Sequence, residues 1–370
     1  MGRPTIAFIA HPLSLSSLGV ISGWPQSILN FFGSRNVRQF LEWKKPFVFN
    51  RIPRLVSKTG DEIDLIGVAC PLMPDQLVSL PYEIVLKRIR ESVELAENNG
   101  ASLAVLGGFT SVIGNEGQDV SKMVNIAVTS GNTLTAGLTI SGIEIAAQKI
   151  GLSKIRKCVV IGATGDIGSA CANYFATRVE FLACVARDQI KLEQMAERMN
   201  GAGYARIACY GKIREAVKDA DVIISATSAL TTIIEAADLA PGVIVSDVAL
   251  PANIAREVAR KRKDILVYEG GLSRPPFASR VTDQKWINLM PHEAIYGCLA
   301  EGLVLGFEKK FENFSIGRGN ITDKKIKLIM NLSAKHGFET ADFFSGDKFY
   351  NHGDLKLINN VLADRSIERV

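Results

Sequence analysis

Residues 157–168 read KCVVIGATGDIG, and this stretch decides the fold. The small and apolar run Cys158–Ile161 predicts a buried strand that leads directly into a glycine turn, and a helical pattern follows from Ser169. Glycine lets the backbone approach a pyrophosphate closely, and the phosphate charge then lies at the helix N-terminus. The spacing is G-x-x-G-x-x-G, so the flanking strand and helix carry the prediction of a dinucleotide-binding turn. The turn residues predicted to bind the cofactor are Gly162, Ala163, Thr164, Gly165, Asp166 and Ile167.

Short apolar runs alternate with helical patterns from residue 155 to about residue 270, which predicts a parallel, doubly wound α/β sheet. The strands predicted there are Cys158–Ile161, Glu180–Ala186, Val222–Ser225, Val243–Val248 and Ile265–Tyr268. A less regular α/β alternation precedes them, with strands Thr5–Ala10, Leu65–Ala69 and Leu103–Leu106 and a helix over Tyr82–Asn98. We therefore predict an N-terminal α/β substrate domain (1–130), an NADP-binding Rossmann domain (131–290) and C-terminal helices (291–370) that pack back across the cleft and complete the substrate site.

Composition narrows the class of protein. The 370 residues are 47% hydrophobic and 22% charged, as in a soluble globular protein, and no apolar run is long enough to span a membrane. The apolar N-terminus reads as a first strand rather than a signal peptide. Six cysteines without a C-x-x-C or Cys/His cluster predict neither a disulfide framework nor a metal site, and indicate the reducing cytoplasm. A net charge of +5 is too diffuse to indicate nucleic-acid binding.

The stretch Leu18–Phe49 is rich in aromatic residues and broken by glycine and proline. It predicts a less regular region that serves as a lid or as a surface for acyl chains or for peripheral membrane contact. Ordinary packing under a long loop explains the same pattern equally well.

The nucleotide domain also indicates which cofactor it binds. An acidic residue about 20 residues beyond the glycines binds the ribose of NAD, whereas an arginine there accommodates the 2′-phosphate of NADP. Here Arg187 precedes Asp188, with Lys191 one turn later, and the planar guanidinium suits a phosphate. We therefore predict NADPH, with NAD as the alternative that Asp188 leaves open. Thr227, just after the strand Val222–Ser225, is a further predicted cofactor contact.

Two common dehydrogenase chemistries fit the sequence poorly. No tyrosine has a lysine four residues later, which disfavours a short-chain dehydrogenase. A shikimate-type dehydrogenase shares the predicted order of domains, but Leu134 stands where its acidic residue would follow the pair Asn132-Thr133. A reactive thiol is the remaining route, because an acyl-cysteine divides the reduction of a thioester into two easier steps.

Two of the cysteines are candidates for that thiol. Cys70 lies at a strand end, and Cys298 lies in a predicted helix that begins near Pro291, where small neighbours leave room for a substrate. The remaining cysteines are best explained as packing residues. Glu301 shares the helix face of Cys298, so as a carboxylate it would raise the pKa of the thiol, although it could instead act as an acid or base.

Taken in chain order, several segments resemble the cyanobacterial-type long-chain acyl-[acyl-carrier-protein] reductases, which form fatty aldehydes. The matching segments are residues 70–74 (CPLMP), 106–111 (LGGFTS), 130–133 (SGNT), 162–170 (GATGDIGSA), 186–187 (AR), Cys298 with 300–301 (AE), 312–318 (ENFSIGR) and 336–338 (HGF). They cover nearly the whole chain and are much more specific than the glycine turn alone.

This resemblance implies that Cys298 is acylated and that hydride from NADPH then releases a fatty aldehyde. His11 also matches the family and is a predicted site residue. The Leu18–Phe49 region and His292 depart from the family, which leaves acyl-carrier protein and acyl-CoA as alternative donors. The rival functions are a shikimate/quinate-dehydrogenase-like NADP oxidoreductase without a covalent intermediate and a non-catalytic NADP-binding protein.

Overall fold

A computed structural model describes residues 2–200 and 205–368, which divide into two units. Unit 1 comprises the residues up to Thr135 together with Ser273–Asn320 and Lys324–Glu339. Unit 2 comprises Ala136–Leu272, Ile321–Asp323 and the residues from Thr340 onward.

Unit 1 is built on a five-stranded sheet of order β2-β3-β1-β4-β5, in which only β2 is antiparallel to its neighbour. Its strands are β1 Thr5–Ala10, β2 Phe47–Val56, β3 Glu62–Ala69, β4 Ala101–Leu106 and β5 Ala127–Thr129. Its N-terminal helices are α1 Leu15–Ser22, α2 Gln26–Trp43, α3 Pro74–Ser79, α4 Tyr82–Asn98, α5 Phe109–Glu116 and α6 Gln118–Ser121. Because β1, β3, β4 and β5 are parallel, the residues that follow each of them meet at one edge of the sheet.

The helix α4 shows why these elements pack together. Its buried residues recur at spacings of three and four and form one apolar stripe, which includes Val85, Ile89, Val93 and Ala96. The stripe joins the buried face of the sheet in one hydrophobic cluster. Burial of each large side chain contributes about 1.5–3 kcal/mol, so the stripe holds the helix on the sheet.

Unit 2 is a parallel six-stranded sheet of order β11-β10-β9-β6-β7-β8, which confirms the predicted doubly wound domain. The strands are β6 Lys157–Ile161, β7 Phe181–Val185, β8 Arg206–Tyr210, β9 Val222–Ser225, β10 Ile244–Asp247 and β11 Leu266–Glu269. The helices are α7 Asn132–Lys149, which starts in unit 1, α8 Asp166–Ala176, α9 Gln189–Asn200, α10 Ile213–Val217 and α11 Arg256–Lys261. Counted from β6, this is the strand order of dinucleotide-binding folds, and it reverses between β6 and β9.

The C-terminal third contributes to both units. Its elements are β12 Leu272–Arg274, α12 Gln284–Leu289, β13 Ile295–Tyr296, α13 Gly297–Phe307, α14 Asp323–Lys335, β14 Glu339–Thr340, β15 Phe344–Ser345, β16 Lys348–Phe349 and α15 His352–Glu368. In unit 1, α13 packs so closely on the sheet that a Cβ at Gly306 would lie 2.6 Å from Ile6. In unit 2, the Asn359 side chain of α15 donates to the Ile150 carbonyl at 2.8 Å. The predicted three-part division of the chain stays a prediction.

The prediction of a less regular region over Leu18–Phe49 is wrong, since α1 and α2 occupy most of it. The Ser14 side chain caps the start of α1, and Gly23, in the left-handed conformation, ends it. Pro25 precedes α2, and Gly33 is a kink within it. The glycines and proline thus mark helix ends and a bend. Among the described residues, no helix combines the length and the apolar character needed to cross a membrane.

Candidate functional site

Cys298 is the second residue of α13, in the first turn of the helix. The prediction that this helix begins near Pro291 is wrong, because His292 adopts a positive φ of 56° and Ile295–Tyr296 form a short strand. The thiol therefore lies where the backbone N–H groups of a helix have no partner within the helix.

The Cys298 sulfur lies in a polar but partly enclosed environment. The backbone N–H groups of Leu299, Gly108 and Cys298 itself face the sulfur and favour the thiolate. Burial outweighs them, and with a contribution from the Glu301 charge it raises the pKa of the thiol to about 11. Cys298 is nevertheless half-buried, whereas four of the six cysteines are fully buried. Cys298 is therefore a partly exposed residue, and backbone donors face its sulfur.

Two glycine turns, each following a parallel strand, shape this position. Gly108, after β4, has a φ of 57°, and a Cβ there would lie 2.7 Å from Nε2 of His11. Gly131, after β5, has a φ of 72°, and a Cβ there would overlap the Cα of Cys298. Glycine is required at Gly131 for both reasons, since a side chain would be strained and would displace the cysteine.

His11 follows β1 at the same edge of the sheet and holds the first of these turns. Its Nε2 accepts a hydrogen bond from the Phe109 N–H at 3.1 Å, so its proton is on Nδ1, which lies 3.3 Å from the Pro12 carbonyl oxygen. Burial lowers the pKa of His11 to about 4, and the imidazole is neutral at physiological pH. The observed contacts fix the backbone next to Gly108.

Glu301 lies one turn after Cys298 and is completely buried. The Thr129 hydroxyl donates to one carboxylate oxygen at 2.5 Å, and the Leu134 N–H donates to the other at 2.9 Å. Burial raises the pKa of Glu301, while these donors and the Ser315 side chain oppose the shift. The carboxylate thus joins α13 to both ends of the turn that contains Gly131.

Further polar groups that the sequence analysis missed hold the same turn. Ser130 donates to the Ser315 carbonyl at 2.5 Å, and the Thr133 and Ser315 hydroxyls are 2.5 Å apart. The Asn132 amide donates to the buried Glu116 at 3.2 Å. Residues 130–133 and 312–318 are both among the segments that resemble the acyl-[acyl-carrier-protein] reductases. That resemblance could have identified them, but the sequence assigned them no role. The structure shows that they bind each other.

In unit 2, the glycine turn has the predicted geometry for a dinucleotide. Gly162 has a φ of 84°, and a Cβ there would overlap the carbonyl oxygen of Ala226 after β9. A Cβ at Gly168 would overlap the Gly162 carbonyl oxygen, so the third glycine lets α8 approach the turn. The helix α8 begins at Asp166, and the turn lies where the strand order reverses. This cradle fits a pyrophosphate.

The structure brings the remaining predicted cofactor residues to this edge of the unit 2 sheet. Arg187 is exposed just after β7, and no ion pair engages it within the described part of the chain. The Asp188 carboxylate already has a partner in Lys191. The Lys191 amine lies 3.2 Å from one carboxylate oxygen, and its backbone N–H donates to the other at 3.1 Å. Thr227 lies beside Gly162, and its hydroxyl accepts from the Ala229 N–H at 3.3 Å. Of the two predicted cationic residues, Arg187 has no ion-pair partner among the described residues, whereas Lys191 is paired with Asp188.

The surroundings of Cys70, the other candidate cysteine, differ from those of Cys298. Cys70 is fully buried in the core of unit 1, where burial raises the pKa of its thiol to about 12. Cys209 is half-buried on β8, but its sulfur donates to the Leu192 carbonyl at 3.7 Å and has no facing N–H groups in the described structure. Only Cys298 combines partial exposure with backbone donors.

Comparison with known proteins places these features in context. Residues 144–269 match the shikimate/quinate 5-dehydrogenase family. The chain is 28% identical over 303 residues to the long-chain acyl-[acyl-carrier-protein] reductase of Synechococcus elongatus, covering 77% of this chain and 85% of that protein. It is 28% identical to the aminotransferase PigE of a Serratia strain, over 78% of this chain but 34% of that protein. The glutamyl-tRNA reductase of Archaeoglobus fulgidus is 26% identical over 48% of this chain and 40% of its own length.

These findings confirm the predicted resemblance to a long-chain acyl-[acyl-carrier-protein] reductase. The family match covers the glycine turn and the strands on either side of the reversal, which confirms the prediction of a nicotinamide cofactor. They support an oxidoreductase that uses this cofactor. The similarity to the acyl-[acyl-carrier-protein] reductase extends well beyond the nucleotide-binding segment.

Proposed function

We propose that this protein reduces a long-chain fatty acyl thioester to a fatty aldehyde, with NADPH as reductant and Cys298 as the acylated nucleophile. The observation that carries the proposal is Cys298 itself, a half-buried residue at the start of α13 whose sulfur is faced by backbone N–H groups. The similarity to the Synechococcus reductase supports the choice of substrate class.

In the first half of the reaction, the Cys298 sulfur attacks the thioester carbonyl and the donor's sulfur departs with the proton that the cysteine loses. Negative charge develops on the carbonyl oxygen as the new carbon–sulfur bond forms. The Gly108 and Leu299 N–H groups face the sulfur in the free protein, so they lie close to the bond beside which this charge would develop. They are our candidates for the oxyanion-stabilising groups, which the sequence alone did not identify.

In the second half, NADPH held by the turn Gly162–Ile167 would supply a hydride, which the carbonyl carbon of the acyl-cysteine accepts. The resulting hemithioacetal collapses, which breaks the carbon–sulfur bond, releases the aldehyde and returns the thiol of Cys298. One hydride, which carries two electrons, and one proton from solvent enter in total; the proton returns the Cys298 thiolate to the thiol, as the reduction of a thioester to an aldehyde and a thiol requires. No further oxidant or metal is needed for this balance.

NADPH is the cofactor we propose, because the exposed Arg187 is available for a 2′-phosphate while Asp188 is paired with Lys191. The turn Gly162–Ile167 would hold the pyrophosphate, and Thr227 would border it. Lys191 would contribute positive charge near the phosphate rather than a dedicated contact, since it already neutralises Asp188.

The predicted catalytic roles of His11 and Glu301 stay predictions, and their contacts support a positioning role instead. His11 fixes the turn at Gly108, and Glu301 fixes the turn at Gly131 relative to α13. Both residues would act through the backbone that surrounds Cys298. The donor is proposed to be acyl-carrier protein or acyl-CoA, and six unpaired cysteines favour a cytoplasmic site of action.

Aldehyde production from a long-chain acyl thioester tests the proposal. We expect the wild-type protein with NADPH to yield one aldehyde per NADPH oxidised, detected by gas chromatography. Cys298→Ala should abolish the product, whereas Cys209→Ser, which changes the other half-buried thiol, should retain it. A Cys298→Ala protein with normal aldehyde production would refute the acyl-cysteine.

The family match over residues 144–269 keeps one alternative in view, a shikimate- or quinate-type dehydrogenase. Such an enzyme would oxidise a cyclic alcohol with NADP⁺ and would not depend on Cys298. Oxidation of shikimate or quinate that survives Cys298→Ala would therefore favour this alternative.

A further inference from the structure

The helix α2 and Trp24, which precedes it, expose several large apolar side chains. We name this set the aromatic surface: Trp24, Ile28, Phe31, Phe32, Phe40 and Trp43. Phe31 and Trp43 are 86% and 85% exposed, so the fold leaves nearly their whole surface in water. An apolar surface of this extent marks an interaction site.

Packing within unit 1 does not account for these side chains. Leu29, Val37 and Leu41 of α2 form the buried side of the helix, in one cluster with Leu18 and Met73. The residues of the aromatic surface lie outside that cluster, and five of them lie on α2, on either side of the break at Gly33. The helix thus has one side that stabilises the fold and another that the fold does not use.

The charges beside the aromatic surface indicate what covers it. Residues 24–47 contain four basic residues and one acidic residue. Arg38 is paired with Asp75 at 2.9 Å, and the acidic Glu42 accepts from the Gln76 amide at 3.1 Å. Arg35, Lys44 and Lys45 are exposed, and none of them has an ion-pair partner among the described residues. An uncompensated positive charge therefore accompanies the apolar side chains.

We propose that the aromatic surface docks on an anionic lipid bilayer. Aromatic side chains beside lysine and arginine suit the membrane interface, where the rings enter the boundary between headgroups and acyl chains and the cations meet lipid phosphates. A symmetric dimer through the same surface would instead bring the positive charges of both copies together. The charge therefore favours a lipid surface over a second copy of this chain.

Vesicle binding by the full chain tests this proposal without cofactor or acyl thioester, so its outcome is independent of the reductase activity. Two of the three tryptophans, Trp24 and Trp43, belong to the aromatic surface, while Trp286 is buried. We expect a blue shift of the tryptophan emission and co-sedimentation with vesicles of about one-third phosphatidylglycerol in phosphatidylcholine. Pure phosphatidylcholine vesicles should bind at least tenfold more weakly, on the order of fivefold per unpaired basic residue.

Two pairs of variants separate the apolar and the charge contributions. Phe31→Ser with Phe32→Ser should weaken binding by about tenfold or more, whereas Leu328→Ser, an exposed leucine on α14, should not change it. Lys44→Gln with Lys45→Gln should weaken binding by about fivefold per charge, and Lys324→Gln with Lys327→Gln should leave it unchanged. All these residues are exposed, and unchanged NADPH binding would show that each variant is folded.

Three results would overturn the proposal. The wild-type protein could remain in the supernatant with both kinds of vesicle, or the Phe31/Phe32 variant could bind as well as the wild type. A dimer in sedimentation equilibrium that the same variant dissociates, without vesicle binding, would assign the surface to a second copy of the chain.

Discussion

At the scale of single residues, the proposed mechanism depends most on the protonation state of the Cys298 thiol. Burial raises its pKa from 9.0 to about 11, so the thiol carries its proton at neutral pH despite the facing N–H groups. Below pH 9 it is protonated in both folded and unfolded chains. Between pH 9 and about 11 the unfolded chain releases the proton first, so the contribution of this group to the stability of the fold falls through that range and stays at the lower value above it.

The rate of Cys298 alkylation by iodoacetamide should follow this pKa. Because the thiolate is the nucleophile, we expect the rate to rise about tenfold per pH unit between pH 7 and 10 and to level off only near pH 11. Quantification of the Cys298 peptide by mass spectrometry measures it, with an unfolded sample in denaturant as the reference. A plateau below pH 8 would mean that the backbone donors outweigh burial.

The proposed choice of cofactor also depends on one side chain. Arg187→Ala should raise the KM for NADPH by about 10- to 100-fold, because a charge-assisted bidentate contact to the 2′-phosphate is lost. The KM for NADH should change less than about twofold, since NADH has no phosphate there. Arg206→Ala, at the amino end of β8, is the matched control. An equal loss for both cofactors would refute the 2′-phosphate role of Arg187.

From the sequence, the types of side chain in the candidate site could be predicted better than the contacts between their atoms. Cys298 and Glu301 could be selected as candidates from their neighbours in the chain, and His11 from the resemblance to the family. The Gly108 and Leu299 N–H groups could not, because every residue except proline carries a backbone donor and only the fold directs it at the sulfur.

At the scale of elements, the position of Cys298 depends on the contact between the start of α13 and the turn at Gly131. Gly131→Ala would place a methyl group onto the Cα of Cys298 at a φ of 72°. We expect it to abolish aldehyde production and to lower the free energy of unfolding by about 1 kcal/mol for the backbone conformation plus roughly 1–3 kcal/mol for the overlap.

Gly319→Ala is the matched control for this prediction. Its φ is 79°, but nothing lies within 4 Å of the added methyl, so it carries only the conformational cost. Urea unfolding of the two variants measures the difference. Equal stabilities, together with a fully active Gly131→Ala protein, would show that the turn does not position Cys298.

Helix boundaries were the least predictable part of the elements. The helix α4 was predicted with its observed limits, because its apolar stripe is regular and Pro81 precedes it. For α13 the sequence suggested Pro291 as the start, but the positive φ of His292 and the short strand before Gly297 depend on tertiary contacts. In α1 and α2 the glycines could equally have ended helices or marked loops.

At the scale of the whole molecule, both units place their chemistry at the carboxyl edge of a parallel sheet. In unit 1, His11, Gly108 and Gly131 follow β1, β4 and β5, and in unit 2 the glycine turn and Thr227 follow β6 and β9. The regular repeat of strand and helix made the fold of unit 2 predictable. The sheet of unit 1 was only partly predictable, because β2 interrupts the pattern with an antiparallel strand and α13 joins it from a distant part of the sequence.

The intact mass of the protein after incubation with a long-chain acyl thioester, without NADPH, tests the central claim most directly. We predict an increase by one acyl group that NADPH removes, that peptide mapping assigns to Cys298, and that Cys209→Ser retains. In Cys298→Ala the adduct should be absent. An adduct that persists in Cys298→Ala, or a wild-type protein that acquires none from either acyl-CoA or acyl-carrier protein while still forming aldehyde, would contradict the acyl-cysteine mechanism.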